Sequence, residues 1–508
     1  MRITNKMMTN NALYNINNNK NLMSNLEQQY SSGKKITKPS DDPIVAVRAL
    51  KFRTNLSELN QYYEKNIPDA LAWMDVTESA LSTVNDIITS MNTYCNQGAN
   101  DYPTAEDRNA IATTLMELKG QLYQEGNTNY AGRYVFSGYK TDTSLVFNEA
   151  STNLKYEITE PLEAESIDRI SRVLNESDFT EFDPNNLTTW NTDMPYKIEQ
   201  YRMKLSYTGL EKDAFGTDEG LKFSYTTEAG VEVELDGTEP ATARPKLNQI
   251  SVLDEKAYDP EEGTINFIPE TGELILSKDM YEELRTSTNI KAEYVKDEFD
   301  INDLRPEHYF DCTVTDTEDP AKEPVTYTKQ DQQIQYEVNF NQKLTINTQG
   351  SDAFTTGITR MIDEIVNSIN SVKAVEDAML EVDKMLADTS VVGAKRTKLE
   401  EIKEQLKAEH ALKTTVMTEA FQRGITITEQ EQEVLNVATA DMGGRYKRLQ
   451  LTQSRLSDQQ VDFEELLSNN EDADLVDTII KYSAAETVYN SSLSAASKLV
   501  QTSLMDFL

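Results

Sequence analysis

The side chains best suited to proton transfer, metal binding or nucleophilic attack are two histidines, His308 and His410, and two cysteines, Cys95 and Cys312. Their spacing supports none of these chemistries. The histidines lie about a hundred residues apart and the cysteines further, so neither a zinc quartet nor a disulfide framework can be drawn. No phosphate-binding glycine loop, dinucleotide fingerprint, zincin helix or nucleophile elbow is present. Carboxylates are abundant, 86 acidic against 49 basic residues, and in so acidic a chain no single pair stands out as an acid–base couple. The turn Asp316–Asp319 has oxygen ligands for calcium but lacks the EF-hand spacing. His410, within Glu409-His410-Ala411, falls on a charged helix and is expected to be solvated. Cys95 extends an apolar stripe and is expected to be a buried thiol. The residues thus predict no enzymatic activity, no catalytic residue, no cofactor and no metal.

The net charge of −37 bounds the partners. A phosphate backbone needs a basic face, so nucleic acid is excluded, and a bare anionic membrane repels such a chain. The first residues, Met1-Arg2-Ile3-Thr4-Asn5-Lys6, contain no apolar core of a secretory signal, and no run is long enough to span a bilayer.

What remains is a set of helical and strand elements. At the C-terminus, Leu475, Ile479, Tyr482, Glu486, Tyr489, Leu493, Ala496, Val500, Ser503 and Phe507 form a ladder of alternating four- and three-residue steps. Such a seam needs a partner helix. The first thirty residues supply a sparser stripe, Ile3, Met7, Tyr14, Leu22, Leu26 and Tyr30, in an Asn-rich background of low helix propensity; it is expected to order only on contact with something else. A coiled-coil homodimer through the C-terminal helix alone is the plainer reading of the same seam. A further helix begins at Ser40-Asp41-Asp42-Pro43 and runs to about Tyr62, with a break or kink near Pro68. Beyond it Ala70, Trp73, Thr77, Leu81, Val84, Ile88, Met91 and Cys95 form another seam, and Thr104–Tyr123 a further helix. Ten of the fourteen prolines fall between residues 151 and 350, which also carry −24 of the charge. Strand-like runs there are 220–235, 263–277 and 333–348, the last with Ile334, Tyr336, Val338 and Phe340 alternating. From residue 351 proline is absent, and 354–387 and 395–469 read as long amphipathic helices. The expected fold is α+β: a long antiparallel or coiled-coil helical bundle built from both termini, with an inserted antiparallel β-rich domain. The ranges are 1–38 (assembly helix and turn), 39–145 (first part of the core), 146–350 (acidic insert), 351–470 (second part of the core) and 471–508 (C-terminal assembly helix). The segments 389–399 and 439–449 share Thr, Gly and a final Leu, open to duplication or convergence.

Three motifs carry a resemblance. Tyr30-Ser31-Ser32-Gly33-Lys34-Lys35-Ile36 is followed by Lys38-Pro39-Ser40-Asp41-Asp42-Pro43; Asn127-Thr128-Asn129 is followed by Gly132-Arg133-Tyr134-Val135-Phe136-Ser137-Gly138; and Gly443-Gly444-Arg445 precedes Glu471-Asp472-Ala473-Asp474-Leu475 and the ending Ser503-Leu504-Met505-Asp506-Phe507-Leu508. Over about 1–145 and 440–508 the chain resembles the bacterial flagellin-like proteins, and its ending is similar to that of hook-associated members rather than filament flagellins. Tyr30 stands where the family usually has Leu, and the insert is large for it.

The resemblance implies a structural flagellar subunit of the hook–filament junction, secreted without a cleavable signal through the flagellar export apparatus. It implies a ring or tubular homo-oligomer that contacts another hook-associated protein and flagellin, with an export chaperone beforehand. The implied assembly surface is Ile3, Met7, Tyr14, Leu22, Leu26, Leu493, Ala496, Val500, Leu504 and Phe507. The implied turn is Ser32, Gly33, Lys34, Ile36, Pro39, Asp41, Asp42 and Pro43. Two other readings stand beside it: a filament flagellin, and an acidic cytoplasmic coiled-coil scaffold.

Overall fold

A computed structural model describes residues 5–100, 104–177, 193–212, 215–217, 220–240, 242–254, 256–319 and 321–505, with side chains described from residue 6 to 498. Helices come from both ends of the chain and strands from its middle, in an α+β fold. Two compact units divide it: a terminal unit of Met1–Leu71, Tyr336–Leu344 and Lys447–Leu508, and a central unit of Ala72–Gln335 and Thr345–Tyr446.

The terminal unit holds α1 (Asn5–Ser32), α2 (Pro43–Gln61), the last part of α7 (Ala394–Glu471) and α8 (Leu475–Met505). Helix α2 starts where the sequence places it. Asp42 caps it by accepting from the Ile44 and Val45 amides at 3.0 and 3.1 Å, and Pro43 occupies the first turn, where a missing N–H is harmless. Of the break or kink expected near Pro68, the structure has a local irregularity and no break: a π turn, Tyr62–Asn66, through which α2 continues into α3 (Ile67–Gly98). One wider turn absorbs the hydrogen bond that a helical proline cannot donate. Part of the β14–β15 hairpin (Gln335–Asn339, Gln342–Thr345) belongs to this unit. The Asn66 amide donates to the Glu337 carbonyl at 2.8 Å, and Phe340 meets the Tyr62 ring edge-on at 5.6 Å.

In the central unit the seam of α3 is fully legible: Trp73, Thr77, Leu81, Val84, Ile88, Met91 and Cys95 are all buried. Around it lie α4 (Ala105–Gly126), α6 (Gly357–Ala387) and the first part of α7 in chain order, and Cys95 Sγ lies 4.0 Å from Met361 Sδ of α6, while Asn92 of α3 donates to the Thr428 hydroxyl of α7 at 2.8 Å. Gly424 permits a close approach. A Cβ there would stand 3.1 Å from Cys95 Sγ and 3.0 Å from Met361 Sδ. A Thr104–Asp107 capping box starts α4, and the buried Tyr123 hydroxyl donates to the Thr355 carbonyl at 3.0 Å. The 389–399 and 439–449 segments differ in structure: the first turns between α6 and α7 with Gly393 at φ +63°, and the second lies within α7.

Between α4 and α6 run two sheets. One orders β4 (Asp168–Leu174), β5 (Tyr196–Lys204), β10 (Glu273–Leu276), β9 (Thr264–Ile268) and β8 (Lys246–Gln249). The other orders β13 (Val325–Tyr327), β12 (Asp311–Asp316), β3 (Leu154–Leu162), β11 (Thr288–Lys296), β6 (Lys222–Thr226) and β7 (Glu232–Leu235). Ile265, Phe267, Leu274 and Leu276 of the first share one core with Tyr156, Ile158, Phe223 and Tyr294 of the second. The pairing is antiparallel with one departure from expectation. Strand β8 runs parallel to β9, because the 250–263 connection returns to the same end before the second strand begins.

The 127–138 motif closes the mouth of the insert. Asn127 Oδ1 accepts from the Leu145 and Val146 amides at 2.9 and 3.2 Å. The two-residue strands β1 (Asn129–Tyr130) and β2 (Arg133–Tyr134) flank Ala131 and Gly132, both at positive φ, the geometry of a tight hairpin turn. Arg133 then lies over the Trp73 ring at 5.0 Å, and Phe136 meets Phe354 edge-on at 4.9 Å. No helix of the described residues is long and apolar enough to cross a membrane.

Candidate assembly surface of the terminal helices

Helix α1 ends at Gly33, whose φ of +68° lets the chain reverse and whose amide donates to the Gln29 carbonyl at 2.9 Å. The released segment is stitched to the turn between α7 and α8, more than four hundred residues away. Lys35 donates its amide to the Glu471 carbonyl at 2.7 Å, and Ala473 donates its amide to Gly33 at 2.8 Å, an antiparallel bridge centred on Lys34 and Asp472. Lys34 Nζ reaches the Asp472 carboxylate at 2.5 Å, and Lys35 Nζ the Asn469 carbonyl at 2.5 Å. Glu471 is buried and takes the guanidinium of Arg53. On the α2 side Asp41 accepts from the Lys38 and Thr37 amides at 2.8 and 3.1 Å, and those bonds hold its carboxyl below the usual range. Asp472 is lowered too, first by its bond with Lys34 and then by that with Ser468. Asp474 accepts from the Val476 and Asp477 amides and so starts α8. All eight residues of the sequence-identified turn lie in this clamp or on its path into α2. Lys35, Arg53, Glu471 and Asp472, which complete it, were not among the candidates, although the 471–475 segment had been singled out as a motif.

From this clamp α1 and α8 leave side by side and antiparallel. The covered face of α1 is Thr9, Ala12, Ile16, Asn19, Met23 and Leu26, and that of α8 is Thr478, Tyr482, Ala485, Tyr489, Ser492 and Ala496, both with alternating three- and four-residue steps. These seams are rotated from the predicted ones. Leu475, Ile479, Glu486 and Leu493 of the ladder are exposed, while Tyr482, Tyr489 and Ala496 belong to the covered face. Small residues at 478, 485 and 492 let the helices approach, which pushes the larger aliphatics to the flanks. Of the candidate surface, Leu26 is 8% exposed and Ala496 half-buried, whereas Met7, Tyr14, Leu22 and Leu493 are 54%, 67%, 50% and 43% exposed. Val500 and Leu504 continue the α8 backbone; Ile3 and Phe507 lie outside the described residues. Further apolar side chains stand exposed on the same unit: Met8 and Leu13 on α1, Val476, Ile480 and Val488 on α8, and Ile44, Val47 and Leu50 on α2.

The candidates for chemistry are spent on structure. Burial pushes the Cys95 and Cys312 thiols up to about 12. It pulls His308 down to about 4, with Nε2 against the Ser144 carbonyl at 3.1 Å. His410, expected to be solvated, is half-buried with Nε2 3.1 Å from Glu376, which also holds the Arg108 guanidinium. No group of three or more His, Cys, Asp or Glu among the described residues is placed to hold a metal.

Residues 3–141 match the bacterial flagellin N-terminal helical region. The flagellin-like chain is 33% identical over 145 residues to flagellar hook-associated protein 3 of Salmonella typhimurium, covering 28% of this chain and 45% of that protein. It is 33% identical over 128 residues to a flagellin of Clostridium tyrobutyricum, covering 25% and 34%. The match thus spans less than half the length of either relative. A solved putative flagellar hook-associated protein from Vibrio parahaemolyticus aligns with 85% of this chain and 100% of its own at 12% identity and a TM-score of 0.36.

Proposed function

We propose that this flagellin-like chain is a structural, non-catalytic subunit of the bacterial flagellum that polymerises through its paired terminal helices at the junction between hook and filament. The observation that carries this reading is the α1–α8 pair. Its internal seam is narrow and rich in small and polar residues, while Met7, Tyr14, Leu22, Ile480 and Leu493 remain uncovered on the outside. Contiguous exposed apolar residues on one unit mark an interaction surface. Each Leu buried there contributes about 1.5–3 kcal/mol, against roughly 1–2 kcal/mol per residue for ordering backbone. In this reading sister subunits cover the flanks of both helices in a ring or tube, and the acidic insert, 146–350, is the solvent-facing outer domain. The subunit meets another hook-associated protein on one side and flagellin on the other, after export with a chaperone.

A filament flagellin is the second reading, favoured by the equal identity to the Clostridium flagellin over the N-terminal region. Electron microscopy of a strain lacking the chain separates the two. The junction role predicts hooks without filaments and flagellin monomers shed into the medium. Filaments of normal length in that strain exclude both readings, and loss of the major secreted filament protein itself identifies the chain as the flagellin.

A further inference from the structure

A cavity of about 310 Å³ in the central unit lies between β4, β5 and β10 on one side and α6 and α7 on the other. Its wall is densely charged in both signs: Arg172, Arg202, Lys204, Arg360, Lys413 and Arg423 line it together with Glu176, Glu270, Glu273, Asp363 and Glu364. Three carboxylates serve four of the cations. Glu364 takes Arg202 at 3.0 Å, Lys204 at 2.5 Å and Arg423; Glu273 takes Arg202 at 2.6 Å and Arg172 at 3.7 Å; Asp168 takes Arg202 at 3.5 Å. Of the remaining lining acids, Asp363 takes Lys119 at 3.0 Å, Glu176 takes the lining Lys413 at 2.8 Å, and Glu270 accepts from the Ser251 hydroxyl at 3.0 Å.

Arg360 is left over. The residue is 8% exposed, and among the described residues it has no ion pair within 4 Å, although the charges of Glu273, Asp363 and Glu160 act on it from further away. One Nη donates to the Gly272 carbonyl at 3.2 Å, and Nε has no partner. Arg202, 1% exposed, likewise has an unpartnered Nε. An arginine does not escape burial by losing its proton; it is stabilised by an oxyanion that accepts from its fork.

We propose that this cavity is a binding site for a small free oxyanion, of phosphate or dicarboxylate type, held by Arg360 with Arg202 beside it. The bound ion would tie β10, through the Gly272–Arg360 contact, to α6, and so stiffen the seat of the insert on the helices of its own unit.

The test uses the full-length chain at pH 7 with inorganic phosphate, and succinate as a second arm, each against sodium chloride at matched ionic strength. Phosphate is followed by ³¹P line broadening and succinate by proton saturation transfer. The expected result is saturable binding of at least one oxyanion, weakened about tenfold or more in Arg360→Met and restored to within about threefold in Arg360→Lys. Binding of phosphate alone or of succinate alone identifies which oxyanion the site takes. Should the methionine variant fail to fold, the native chain decides: the bound ion must slow amide exchange in β10 and the first turns of α6. Unsaturable signals for both ions, saturable binding that leaves exchange in β10 and α6 unchanged, or equal binding by native chain and methionine variant, overturns the site.

Discussion

Gly33 shows what one residue decides. Its φ of +68° has open space around it, so a methyl group there meets no atom, and the whole effect of Gly33→Ala is backbone strain. A left-handed residue with a side chain costs roughly 1–2 kcal/mol, so amide exchange through opening of the clamp should accelerate about five- to thirtyfold. Gly33→Asn should do less, since Asn tolerates this region. Equal exchange in all three chains would mean that the reversal is not held by this residue. The clamp carboxylates add a pH dependence. Asp41 and Asp472 have lowered folded-state values, so the unfolded chain binds protons more readily. Their contribution is therefore complete above the ordinary Asp value of about 4 and is lost as pH falls through the lowered values. Carboxyl chemical shifts of either residue that titrate at or above the ordinary value would contradict the observed bonds.

At the scale of elements, the proposed assembly role assigns folding to the covered face of α1 and polymerisation to the uncovered one. Leu26 lies in the seam, and Leu26→Ala should destabilise the helix pair by about 2 kcal/mol, the low end for a core leucine because the seam is thin. Leu22 lies outside, and Leu22→Ser should change monomer stability by no more than about 0.5 kcal/mol while impairing polymerisation, read by sedimentation of the polymer. A Leu22 variant that polymerises normally removes this face from the interface. The two helices also show where sequence reading reached and stopped. The α3 seam was legible because every third or fourth residue is apolar and nothing competes. On α8 the heptad period was legible but its phase was not: Leu475, Ile479 and Leu493 draw the eye, and Thr478, Ala485 and Ser492 make the contact. Close helix approach selects small residues, which a hydrophobicity pattern hides. The parallel β8–β9 pair and the Lys34–Asp472 bridge were unreadable for another reason. Both join segments whose proximity is set by the fold rather than by local pattern.

For the whole molecule, the proposed polymer must bring together chains that carry −37 each. Like charges repel over a Debye length of about 30 Å at 0.01 M salt and about 10 Å at 0.1 M, so repulsion between acidic inserts weakens steeply over that range. The apolar flanks of α1 and α8 do not depend on opposite charge, and their attraction is strengthened by sulfate. Polymerisation of the purified chain should therefore rise from 0.01 to 0.1 M sodium chloride and rise again when sulfate replaces chloride at equal ionic strength. A chain lacking 146–330 with a short linker in its place, which keeps the 336–344 hairpin of the terminal unit, should lose most of the first effect and keep the second. If association is instead strongest at low salt, complementary charge holds the subunits and the apolar flanks do not. Light scattering across the four conditions distinguishes these cases, because screening and apolar burial respond to the two salts differently.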